Sequence, residues 1–87
     1  MSTENHDYLL LQHLIEKYFK ENRQKVNYTQ GELENLSDIS AQTISKIETG
    51  KNIPELKTFF HLVIALGMDA NEIIADYKAN SEFFNRE

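Results

Sequence analysis

The chain has 87 residues, no cysteine, and 14 Asp and Glu against 9 Lys and Arg, for a formal net charge of −5 at pH 7. That length suits one small domain over residues 1–87, expected to bury only about 60 to 65% of its unfolded surface, and the lack of cysteine excludes disulfides and thiolate metal sites. The acidic balance argues against nucleic-acid contacts spread over the whole surface; no apolar run approaches a membrane span, the opening Met-Ser-Thr-Glu-Asn-His-Asp is no signal peptide, and a cytoplasmic protein is expected.

Residues 1–6 read as a polar, frayed tail. From Asp7, the spacing of Leu10, Leu11, Leu14, Ile15, Tyr18 and Phe19 predicts one amphipathic helix, ending near Asn22 to Lys25 before Asn27, a poor helix former. Thr29 with Glu32 has the form of a capping box, so a second helix begins at Gln30, with Leu33 and Leu36 as its core positions. Ser37-Asp38-Ile39-Ser40 interrupts the pattern with residues that prefer local hydrogen bonds, and Ser40 is a good N-cap for a third helix. Ile44 and Ile47 are the core positions of that helix, and Gly50 supplies the left-handed residue that closes it.

Past the Lys51-Asn52-Ile53 loop, Pro54 suits the first turn of a fourth helix. Leu56, Phe59, Phe60, Leu62, Val63 and Leu66 give it a wide apolar face, and Gly67 stops it. Asp69 with Glu72 repeats the capping-box form before a fifth helix carrying Ile73, Ile74 and Tyr77. Five helices without a strand signal predict an all-α orthogonal bundle. The extension 79–87 holds Phe83 and Phe84, which need burial.

Helix, tight turn and helix, each with a narrow apolar face, is the unit that lays its second helix in a DNA major groove. Thr29-Gln30-x-Glu32-Leu33 followed by Ile39-Ser40-x-x-Thr43-Ile44-Ser45-Lys46-Ile47-Glu48-x-Gly50-Lys51 resembles the lambda-repressor/Cro-like (Xre) family. Pro54-x-Leu56, Leu66-Gly67-Met68 and Glu72-Ile73-Ile74 continue that family's pattern, so that the likeness runs from about residue 29 to 75, within a family-like core of about 8–78. The resemblance implies a lambda-repressor-like fold, double-stranded DNA as partner, and a homodimer on a two-fold operator.

Ser40, Ala41, Gln42, Thr43 and Lys46 form the outward face of the third helix. Gln42 can bond adenine N6 and N7 together, Lys46 can reach guanine O6 and N7 or a phosphate, and the Ala41 methyl can pack on a thymine methyl. Ala41, Gln42, Thr43 and Lys46 are therefore the candidate base contacts, on a recognition helix of about 41–48. Gln30 is placed by the resemblance at a backbone phosphate, where the helix N-terminus also points its N–H groups. Ser40 joins it as a backbone candidate, and Lys51 and Asn52 stand where the family's loop contacts phosphate. Glu48 is read as an acidic residue that holds the loop or Arg23 in place.

Two residues depart from the family pattern. Asp38 replaces the usual turn glycine and is tolerated because Asp accepts a left-handed backbone. Glu34 replaces the usual alanine between the two motif helices, so either its stem bends outward or the helices splay. On a crowding view, Glu34→Ala would leave the melting temperature unchanged or raise it. The alternative functional reading is a protein-interaction module of the same fold, antitoxin-like or antirepressor, pairing with a regulatory protein. Neither a cofactor nor an enzyme activity is expected: of the three histidines, His6, His13 and His61, the first two could share a helix face but have no obvious third ligand, and no nucleophile elbow or phosphate loop is present.

Overall fold

The computed structural model describes residues 3–86. Among the described residues six helices follow in order: α1 (Thr3–Lys25), α2 (Gln30–Ser37), α3 (Ala41–Glu48), α4 (Leu56–Leu66), α5 (Ala70–Asn80) and α6 (Glu82–Asn85). The five predicted helices are all present, and the sixth is a single turn in the C-terminal extension. Helix α1 begins at Thr3, so the expected frayed tail is already helical for most of its length; Met1, Ser2 and Glu87 lie outside the described residues.

The molecule measures 45 × 22 × 20 Å; α1 packs on α3, α4, α5 and α6, while α2 packs on α3 and α4. The core is the buried set Ile15, Phe19, Leu33, Ile44, Ile47, Leu62 and Leu66. Phe19 meets Phe59 edge-to-face at 5.6 Å between ring centroids, a geometry that aromatic quadrupoles favour. The Tyr18 hydroxyl donates to Asp76 at 3.0 Å, and His61 Nδ1 sits 2.7 Å from the Ser37 carbonyl, joining α1 to α5 and α4 to α2.

Several expectations need correction. Leu36 is 56% exposed, because on the eight-residue α2 the buried line runs through Leu33 and Ser37, one turn apart. The apolar face of α4 is likewise only partly covered: Leu62 and Leu66 are buried, whereas Leu56 and Phe60 face solvent, as does Ile74 on α5. Pro54 lies two residues ahead of α4 rather than in its first turn, and Glu55 at the N-cap makes no side-chain cap. Asp69 caps α5 by accepting from the Asn71 N–H at 2.9 Å, without the reciprocal Glu72 bond of a full box. Phe83 and Phe84 stay half exposed, stacked edge-to-face on each other at 5.0 Å.

The extension is fastened by Asp7, on the first turns of α1. Its carboxylate accepts from the Ser81 hydroxyl at 2.7 Å and from the N–H groups of Glu82 at 2.9 Å and Phe83 at 3.2 Å. An acidic side chain from a distant helix thus satisfies the N–H groups that the start of α6 leaves unpaired.

Candidate nucleic-acid interface

Helix α2 begins as the residues predict. Thr29 Oγ1 accepts from the Glu32 N–H at 3.0 Å, and Glu32 Oε1 accepts from the Thr29 N–H at 2.8 Å. It ends where Asp38 takes a left-handed backbone, φ 61°, so the turn survives without glycine. The Ser37 hydroxyl, buried, donates to the Leu33 carbonyl and accepts from the Ile39 N–H, which closes the turn from inside.

Helix α3 is locked at both ends. At its start the Ser40 hydroxyl accepts from the Thr43 N–H at 3.1 Å and bonds the Thr43 hydroxyl at 2.9 Å. Glu34 reaches across from α2, and its Oε1 accepts from the Ala41 N–H at 2.8 Å. The stem therefore bends outward, the helices do not have to splay, and the crowding view of Glu34 is corrected: the carboxylate is exposed and makes a specific bond.

At its far end, buried Glu48 accepts from Arg23 through Nε at 2.7 Å and Nη2 at 2.9 Å, and Arg23 Nη1 also donates to the Tyr28 carbonyl. These charge-assisted bonds raise the Arg23 pKa, and burial opposes them. Arg23, in the last turn of α1, thus tethers the motif, and Glu48 is an internal anchor as read. Gly50 then turns with φ +74°; a Cβ there would come within 2.8 Å of Glu16 Oε1.

The proposed contact residues fall into two groups. Gln42 and Lys46, one turn apart on α3, are exposed, and their side chains make no hydrogen bond or ion pair among the described residues. Lys51 and Asn52 fold back so that both N–H groups donate to the Lys46 carbonyl, at 2.9 and 3.3 Å, which sets the loop beside the end of α3. Ala41 and Thr43 are half-buried in the first turn, and Ser40 and Thr43 spend their hydroxyls on each other and on the cap. Gln30 is half-buried and donates from Nε2 to Glu48 Oε1 at 3.2 Å, so its amide faces the Arg23–Glu48 anchor. Around this face Glu32, Glu34 and Asp38 are exposed against Lys46 and Lys51.

A family model described as helix-turn-helix, of the Cro/C1 type, matches residues 19–73, well over half of the 87-residue chain. The chain belongs to the Cro/C1-type (Xre-like) helix-turn-helix family. No curated protein and no solved structure matches it. The match takes in the last seven residues of α1, where Arg23 lies, as well as the α2–α3 unit, α4 and the start of α5. Cro/C1-type helix-turn-helix domains bind DNA and are generally not enzymes. The motif's helices, their caps and the Arg23–Glu48 anchor supply the fold that such binding needs. No helix among the described residues is long and apolar enough to cross a membrane.

Sequence reasoning missed the bond that Glu34 makes, because an exposed carboxylate on α2 carries no local sign of the N–H it will meet seven residues on. It also missed the Asp7–Ser81 contact, which spans 74 positions.

Proposed function

We propose that this helix-turn-helix protein is a sequence-specific transcriptional regulator that lays α3 in the major groove and binds a two-fold operator as a homodimer. The observation that carries the reading is the pair Gln42 and Lys46, exposed on a helix whose two ends are held by Glu34 with Ser40 and by Arg23 with Glu48. A rigid helix with two polar side chains on one face costs little ordering when it meets base edges. Ala41 and Thr43 complete the base-facing turn, and Lys51 and Asn52 hold backbone phosphate; Gln30 and Ser40, bonded to Glu48 and Thr43 in the free protein, join them only where a phosphate shares or replaces those bonds.

Dimerisation follows from energetics. With Arg23 committed to Glu48, one module offers Lys46 and Lys51 as its motif cations, so a half-site alone binds weakly, and two linked half-sites add their free energies. Exposed Leu56, Ile64 and Ile74, outside α2 and α3, leave apolar surface that a second copy would cover.

The second reading, a protein-interaction module, has one observation in its favour: Glu32, Glu34 and Asp38 face solvent on the same motif. Selection of bound sequences from a random duplex pool, followed by salt titration of affinity, separates the two. The regulator reading expects an enriched palindromic site and a steep salt dependence; failure to enrich any sequence would sink it in favour of the protein partner. Sedimentation of the free protein and of its DNA complex tests the dimer.

A further inference from the structure

The bond from Ala41 N–H to Glu34 lies at the end of α3 that the DNA-binding reading points at base edges, since a recognition helix contacts bases with its N-terminal residues. That end is also where a helix carries its free N–H groups and positive dipole, which draw phosphate of any sequence. Here the attraction is countered from within. Glu34 takes the Ala41 N–H at 2.8 Å, the Ser40 hydroxyl takes the Thr43 N–H at 3.1 Å, and the Glu34 side chain remains exposed. A full negative charge therefore sits at the first turn of the reading helix, one residue from Gln42.

We propose that Glu34 lowers the sequence-independent component of DNA affinity while it positions α3. The inference rests on the DNA-binding reading above and deepens it. The carboxylate occupies a donor that a phosphate would otherwise use, and it repels neighbouring phosphates on every sequence equally. Base contacts from Gln42 and Lys46 then form the larger share of whatever affinity remains. The same bond braces the turn between α2 and α3, so Glu34 acts both through its charge and through its acceptor oxygen.

Two variants separate these roles. Glu34→Gln keeps an oxygen that can accept from Ala41 and keeps the side-chain length, but removes the charge. Its melting temperature and order of site preference should match the wild type, while affinity for random duplex DNA rises by about two- to fivefold, the worth of one exposed charge pair. That gain should shrink as salt rises, since exposed charges are screened over about 10 Å at 0.1 M salt. Glu34→Ala removes both roles, so it should melt several degrees lower and lose discrimination between the selected site and random DNA. Unchanged random-DNA affinity in Glu34→Gln, with the wild type binding DNA normally, overturns the proposal. A wild type that binds no duplex at all defeats the DNA-binding reading itself and the proposal with it.

Discussion

The Arg23 guanidinium grips Glu48 with two parallel hydrogen bonds, tying the last turn of α1 to the last residue of α3, with the side chains only 14% and 4% exposed. The geometry is the bidentate fork that arginine makes and lysine cannot. Because Gln30 also donates to Glu48 and Arg23 also donates to the Tyr28 carbonyl, one buried carboxylate gathers α1, the start of α2 and the end of α3. The angle at which α3 is presented depends on that junction.

Arg23→Met should therefore cost about 3 to 5 kcal/mol, because it strands a buried carboxylate. The double variant Arg23→Met with Glu48→Leu is expected to lose clearly less than the two single losses combined, since an apolar pair removes the stranded charge. Urea unfolding of the four proteins measures this. Strictly additive losses would show that the two side chains act independently, against the geometry.

Gln42→Ala is expected to cost about 1 to 3 kcal/mol on the selected operator and to relax preference at a single base position, as loss of a two-pronged base contact does. Fluorescence anisotropy on the operator and on single-position variants reads both effects. Equal loss on operator and random DNA would assign Gln42 to the DNA backbone.

For Lys51→Ala the expected outcome is weaker binding to all sequences alike, with the slope of log affinity against log salt reduced in magnitude by about one, because one phosphate contact releases about one counterion. A slope that does not change would place Lys51 away from the DNA.

Asp7 makes folding sensitive to acid. Burial pushes its pKa up, but the bonds from Ser81, Glu82 and Phe83 outweigh that and hold it below the ordinary aspartate value. A depressed carboxylate stabilises the fold above about pH 4, where the unfolded group is ionised, and that stability is lost as pH falls through the folded value. Asp7→Asn should lower the melting temperature near neutrality and flatten its decline in acid relative to the wild type. Melting curves that run parallel at every pH would remove Asp7 from any role in fastening α6.

The number and order of the main helices were legible because the determinants are local. Thr29 and Glu32 are three residues apart, Ser40 and Thr43 likewise, and a side chain reaches that far whatever the rest of the chain does. The left-handed residues Asp38, Gly50 and Gly67 mark helix ends for the same reason. The outward face of α3 could also be read, since Ile44 and Ile47 turn inward and leave Gln42 and Lys46 outside.

What tertiary structure decided is which periodic positions find a neighbour and which charges meet. Leu33 and Leu36 look alike in the sequence, but only Leu33 faces the α1–α4 core; Leu56, Phe60 and Ile74 are apolar and uncovered because burial needs a second helix to pack against. Glu34 looked like an obstacle between two helices until the turn placed the Ala41 N–H within its reach. The partner of Arg23 lies 25 residues away and that of Asp7 74 residues away, distances over which no spacing rule operates. Composition set the sign of the net charge; only the fold determined that Arg23 is spent inside the protein while Lys46 and Lys51 remain on the surface.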